Sequence, residues 1–293
     1  MGNQKNENTL TASKEAIEFH YDISNTFYKL WLDPSMTYSC ALWGDGDNLE
    51  TAQTRKLDHH IIQSGANKAK SVLDIGCGWG STMIRLFDHY KIPSVTGLTL
   101  SKEQAEYIND FELNGIDVEV RSWEDHKPKA AYDSIISIGA FEHFARLNLT
   151  EEERVLSYRN FFRKCHEWLE NDGQISLQTI SCGNMLREDF SDFFANEVFP
   201  ESDLPTLSDI AKGAQFLFEI VHLQNDRIHY AKTLKAWLLN LENNKDEAIK
   251  MVGAEMVKKY ITYFKLSIIG FEALGSMGLY RLTLKKIEKP REW

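Results

Sequence analysis

The sequence predicts an α/β fold: a doubly wound, seven-stranded, mostly parallel sheet, with helices ahead of it and a helical cap inserted late. Three observations predict it. Between residues 70 and 180, short apolar runs alternate with stretches of helical spacing. A glycine-rich turn joins the first of those runs to a helical segment. Residues 1–60 and 182–215 stand outside the alternation, as extra cover for the strands' carboxyl ends.

Taken in order, residues 1–60 read as a mostly helical cover, amphipathic where Phe19, Ile23, Phe27 and Leu30 recur at spacing three to four. Strands are expected near 71–75, 93–98, 117–121, 133–138 and 174–180, with Asp172-Gly173 as a turn signal before the fifth. Residues 182–215 break the pattern with irregular, Phe-rich sequence (Phe190, Phe193, Phe194, Phe199, then Pro200), read as an inserted cap. A strand at 216–223, a helical hairpin at 231–268 and a last strand near 278–286 follow. The expectation is one domain over 1–293.

Within the alternation, Leu73-Asp-Ile-Gly-Cys-Gly-Trp-Gly-Ser81 reads as buried strand, glycine turn, helix start. Gly76, Gly78 and Gly80 let backbone pass close to a ligand. The helix start offers free N–H groups and a positive dipole end to a carboxylate or phosphate. Asp74 can accept from an ammonium. A ligand carrying both carboxylate and ammonium is an amino acid, and S-adenosylmethionine (SAM) is one. The dinucleotide pattern wants its last glycine one residue later, and no Gly-Lys-Ser/Thr follows for a P-loop. A glycine turn that only joins strand to helix remains the plain alternative.

The second strand ends at Thr99 and Leu100, where a doubly wound fold meets a ribose. Ser101 can cap the next helix, with Gln104 completing a capping box. Thr99 and Gln104 also offer a hydroxyl and an amide to the ligand; plain capping explains Gln104 equally well. Trp123 and Glu124, past the third strand, suit stacking on and accepting from an adenine, and Trp123 is equally a half-buried surface aromatic. Glu142 and His143 lie just past the fourth strand, where ligands of such sheets sit. Taken alone, Glu142 is more readily a solvated turn acid than a catalytic carboxylate.

Composition narrows the class. A formal charge of −10 argues against broad nucleic-acid binding and weakens attraction to anionic lipid. No apolar run approaches the roughly 20 residues of a membrane span, and the first residues lack a secretory apolar core. The four cysteines and nine histidines form no metal-ligand spacing, so no metal site is expected and a reducing, cytoplasmic setting is.

Joined in order, these segments resemble the cyclopropane-fatty-acid synthase and mycolic acid cyclopropane synthase family of SAM-dependent methyltransferases. The resemblance runs through His20-Tyr-Asp22, Trp31-Leu-Asp-Pro34, Thr37-Tyr-Ser-Cys40, Asp74 to Gly80, Gly97 to Lys102, Ser137 to Phe144 and His229 to Leu234. It covers about residues 15 to 285 and implies the class I SAM-dependent methyltransferase fold. It also implies that Tyr38, Ser39, Asp74, the glycines at 76, 78 and 80, Thr99, Leu100, Gln104, Trp123 and Glu124 bind SAM. By the same resemblance, Cys40 (through its backbone), Glu142, Ile180 and Tyr230 hold a bicarbonate ion beside the reacting carbon. The implied reaction is attack of an alkene on the sulfonium methyl, followed by proton removal by bicarbonate to close a cyclopropane. The implied partner is a lipid-like alkene, carrier-bound or membrane-derived.

One departure bears on that chemistry. Where the family has a histidine, this chain reads Gln178-Thr-Ile180. An amide still donates to an anion but carries neither charge nor a transferable proton. Three functions are therefore weighed: a cyclopropane synthase, a C-methyltransferase acting on a prenyl or polyketide alkene without ring closure, and a catalytically silent SAM- or lipid-binding protein.

Overall fold

The computed structural model describes residues 10–11, 25–186 and 202–291. Seven strands form one sheet: β1 (Ser71–Ile75), β2 (Ser94–Thr99), β3 (Ile116–Val120), β4 (Tyr132–Ile138), β5 (Leu169–Cys182), β6 (Phe218–Asn225) and β7 (Met277–Lys286). Their order is β3-β2-β1-β4-β5-β7-β6. The first five pair in parallel, and β7 inserts antiparallel between β5 and β6. The chain reverses its winding between β1 and β4, and the crevice at their carboxyl ends is where such sheets bind ligands. The expected fold is the one observed.

The helices are α1 (Asn25–Lys29), α2 (Leu49–Gln63), α3 (Ser81–Asp88), α4 (Lys102–Asn109), α5 (Glu151–Trp168), α6 (Leu207–Ala214), α7 (Arg227–Asn243), α8 (Lys245–Val252) and α9 (Ala254–Ile268). One face of the sheet packs on α2, α3 and α4 through Ile61, Met83, Leu86 and Ile108. The other packs on α5 and α6 through Tyr158, Phe161, Phe162 and Ile210. That double cover explains why Val72, Leu73, Ile135 and Ile136 are all fully buried: a parallel strand between two helical layers has no solvent face. A third apolar cluster lies across the strand ends and joins Phe27, Tyr28 and Trp31 to Trp237, Tyr260 and Phe264.

Three expectations change. Residues 1–60 are helical only in α1 and α2 among the described positions, and 30–48 are turns and extended chain, pinned by the Asp33 carboxylate on the Ser35 and Thr37 N–H groups (both 3.0 Å). The hairpin at 231–268 is three helices, because Gly253 takes φ +83° and splits its second arm. Ser101 caps α4 through Gln104 N–H at 3.3 Å, but the reciprocal half of the capping box is not made. The Gln104 amide oxygen instead accepts from Thr99 Oγ1 at 2.7 Å. Phe19, Ile23 and residues 187–201 of the cap expected at 182–215, with its phenylalanines, lie outside the described residues, while 207–214 form α6 and pack with α5 on a face of the sheet.

Candidate active site

The loop 37–43 is held over the sheet by α2 and α7. Gln53 of α2 donates to the carbonyls of Thr37 (3.2 Å) and Ser39 (2.9 Å). Thr233 Oγ1 accepts from Ala41 N–H and Trp43 Nε1, while His229 Nδ1 accepts from Trp43 N–H at 2.8 Å. The spacing of the His229 to Leu234 segment now has a cause. His229 and Thr233, one helical turn apart, dock the loop, and Tyr230 between them turns into the cavity below it.

That cavity, about 30 Å³, is lined by Tyr38, Ser39, Cys40, Glu142, Gln178, Ile180 and Tyr230, with Gly139, His143, Tyr263 and Leu279 beside them. On this scale one water takes roughly 10–15 Å³. All five residues expected at the reacting centre therefore share one wall system.

Glu142 stands at its floor, on a single turn after β4 (Phe141–His143), 4% exposed. Its Oε1 accepts from Ile180 N–H at 2.6 Å, while Oε2 is buried without a partner. Burial pushes its carboxyl up to about 7, against the Ile180 bond. Ile180 thus acts through its amide on Glu142, and that N–H is not left for an ion. Gln178 is likewise committed on one side: its Oε1 accepts from Arg281 Nε at 2.9 Å and lies 3.3 Å from His60 Nε2. Arginine can only donate, so the amide orientation is fixed and Nε2 is the end left for the cavity. Tyr263 hydrogen-bonds both Tyr38 and Tyr230.

The residues expected to bind SAM run along the neighbouring strand ends. Asp74 is the penultimate residue of β1, Thr99 closes β2, and Trp123 and Glu124 follow β3. Asp74 is 1% exposed with Oδ2 unpartnered, and burial raises its carboxyl to about 7 despite the nearby Lys56 ammonium. An unpartnered buried acceptor of that kind fits an ammonium group. Gln104, with its oxygen taken by Thr99, keeps its amide hydrogens for a ligand. Trp123 is 6% exposed and packs edge-on against Phe161 and tilted on Phe144, so its ring belongs chiefly to the core. Glu124 is exposed and accepts from Thr11 Oγ1 at 3.1 Å. Leu100 is half-buried between Thr99 and Ser101.

The three glycines separate. A Cβ on Gly76 would meet Ala140 Cβ at 2.5 Å, and one on Gly80 would meet Ile108 at 2.8 Å, so both serve packing within the fold. At Gly78, with φ +55°, a Cβ would meet nothing within 4 Å. That is the position open to a ligand. Gly78→Val is expected to fold, at a strain of roughly 1–2 kcal/mol, and to lose SAM binding; Gly78→Asn, which tolerates positive φ, serves as the control for strain. Calorimetry on both checks this, and unchanged SAM affinity in a folded Gly78→Val protein would contradict it.

Lys56, His60, Tyr263 and Arg281 were not legible as site residues. Lys56 is 1% exposed, donates to Ser39 Oγ at 2.9 Å, and is lowered by burial to about 7. No metal-holding group of His, Cys, Asp or Glu occurs among the described residues, and none of their helices is long and apolar enough to cross a membrane.

The doubly wound sheet, with β7 antiparallel between β5 and β6 and a glycine loop at its switch point, is the class I SAM-dependent methyltransferase fold. The particular family follows from comparison: the sequence profile of the family described as "Mycolic acid cyclopropane synthetase" matches residues 8–280, and the chain belongs to it. Cyclopropane mycolic acid synthase 2 of Mycobacterium leprae is 38% identical, over 85% of this chain and 86% of that one. MmaA2 of Mycobacterium tuberculosis is 34% identical, over 90% and 96%. Among solved structures, CmaA1 complexed with SAH and CTAB superposes with a TM-score of 0.84 at 32% identity, covering 94% of this chain and 99% of that one. Coclaurine N-methyltransferase, at 23% identity and a TM-score of 0.79, shares the fold. The protein is a SAM-dependent enzyme of the cyclopropane-synthase type.

Proposed function

We propose that the protein transfers a one-carbon unit from SAM to an alkene of a lipid-like acyl chain and closes a cyclopropane, with Glu142 at the reacting centre. The observation that carries the reading is Glu142 itself, a buried carboxylate with one oxygen fixed by Ile180 and the other unpartnered at the cavity. The relatives' names place mycolic acids among their substrates, which supports the lipid-like acceptor here.

Bound SAM supplies an electrophilic methyl to the alkene, so positive charge develops on the acyl chain as the new C–C bond forms. Ionised Glu142 offsets that charge, and burial makes the interaction stronger than in water. Tyr38, Tyr230 and Tyr263 line the same space, and an aromatic ring there favours a cation that meets its face. Ring closure then needs a proton removed from the transferred carbon. Glu142 Oε2 asks for an O–H donor, and the Gln178 amide hydrogens ask for an acceptor. Bicarbonate, an anion with one O–H, fits that set, and proton removal is the chemistry it would supply. A C-methyltransferase that stops before ring closure is the second reading, favoured by Gln178, which takes no proton itself.

With methyl-tritiated SAM and vesicles of a monounsaturated phospholipid, or the same acyl chain on a carrier protein, label is expected in the acyl chain. Label confined to unreacted SAM with every unsaturated acyl donor tried would count against a lipid-like acceptor.

A further inference from the structure

Arg281 is 1% exposed in the middle of β7, and it is the direct cross-strand neighbour of Gln178 on β5. Every nitrogen of its guanidinium is used. Nε donates to Gln178 Oε1 at 2.9 Å, Nη1 to the Asp226 carboxylate, and Nη2 to the carbonyls of Cys40 and Ala41, both at 3.2 Å. Those partners come from three separate elements. Asp226 also accepts Tyr230 N–H on its carbonyl at 3.3 Å, so the same cluster reaches the start of α7.

We infer that Arg281 is the positioning residue of the anion subsite, its planar fork fixing the Gln178 amide and the Cys40 peptide together so that Gln178 donates into the cavity. The inference rests on the anion reading given above. Arginine cannot accept a hydrogen bond, so Gln178 must turn its oxygen to β7 and its N–H groups away. His60 reinforces this from α2. Burial holds its imidazole well below the ordinary histidine range, and its ring sits between Ser176 Oγ (2.7 Å) and the same Gln178 oxygen.

A protonated imidazole at 178 would stand against a buried guanidinium, whereas a neutral amide accepts from it and still donates onward. In this chain the Arg281 guanidinium, paired with Asp226, stands one residue behind the wall and orients the Gln178 amide dipole toward the cavity. Lysine could hold Asp226 but lacks the fork that reaches Gln178 and Cys40 at once.

The test uses the full-length protein loaded with S-adenosylhomocysteine (SAH), titrated with 13C-labelled bicarbonate and followed by carbon NMR. Sodium chloride at matched ionic strength is the control. Three variants are compared with the wild type: Arg281→Lys, the pair Arg281→Met with Asp226→Asn (which leaves no orphaned charge), and Gln178→Met. All three are expected to lose at least about tenfold in bicarbonate affinity while SAH affinity changes less than about threefold. Adding Gln178→Met to the Arg281/Asp226 pair should cost little more, because both act through one amide. Full bicarbonate affinity in any folded Arg281 variant, or an equal loss of SAH affinity, overturns the inference and leaves the anion reading standing. No bicarbonate binding by the wild type overturns both.

Discussion

Glu142→Gln is expected to lower turnover about a hundredfold, ~2.7 kcal/mol of lost transition-state stabilisation, with SAH affinity little changed. The amide keeps the shape and can still accept from Ile180 N–H, so the loss isolates charge. The pH profile gives a second readout. Burial raises the Glu142 carboxyl to about 7, and only its ionised form offsets a cation. Below that pH the group is neutral, so turnover should fall as pH drops through 7 and level off above it. SAM, whose sulfur is cationic, should gain affinity over SAH, whose sulfur is neutral, across the same range. Both the limb and the SAM preference should vanish in the Gln variant. Turnover within about threefold of wild type would contradict the assignment.

Asp74→Asn is expected to weaken SAM and SAH alike, by about thirtyfold, because both carry the ammonium that the unpartnered Oδ2 suits. The ligand-free protein should become more stable. The Asp74 carboxyl is raised from 3.8 to about 7 by burial. Between those values the unfolded chain is ionised and the folded one is not, so the cost to folding grows with pH and is complete above about 7. The gain in Tm from the Asn variant should therefore be largest near pH 8 and absent below about pH 4. Unchanged affinity for both ligands would remove Asp74 from the cofactor site.

The parts of this site that could be read from sequence are those built from local chain. Asp74 with its glycine turn acts within a few residues, so spacing encodes the geometry; the segments at 31–40 and 229–234 were placed only by the family resemblance, and the hydrogen bonds of Asp33, His229 and Thr233 came from the structure. Position put Glu142 at the crevice, where a doubly wound sheet brings its fourth strand's carboxyl end, but its catalytic reading came from the family resemblance and not from position. What stayed hidden pairs across long separations. Arg281 meets Gln178 from 103 residues away, and in Leu-Tyr-Arg-Leu-Thr it looks like one polar position of an ordinary strand. Lys56 and His60 sit on a helix of low amphipathicity whose polar residues turn inward to Ser39 and Ser176. The glycine loop was read too uniformly, because packing partners for Gly76 and Gly80 come from Ala140 and Ile108, outside the motif.

The most direct test of one-carbon transfer with ring closure is the proton NMR spectrum of the acyl product made with 13C-methyl SAM in the presence of bicarbonate. The expected product carries the label as a cyclopropane methylene, with upfield geminal signals and no alkene protons at the modified position. A labelled vinylic or allylic methyl, with unsaturation retained or displaced, would contradict ring closure and establish the chain as a C-methyltransferase.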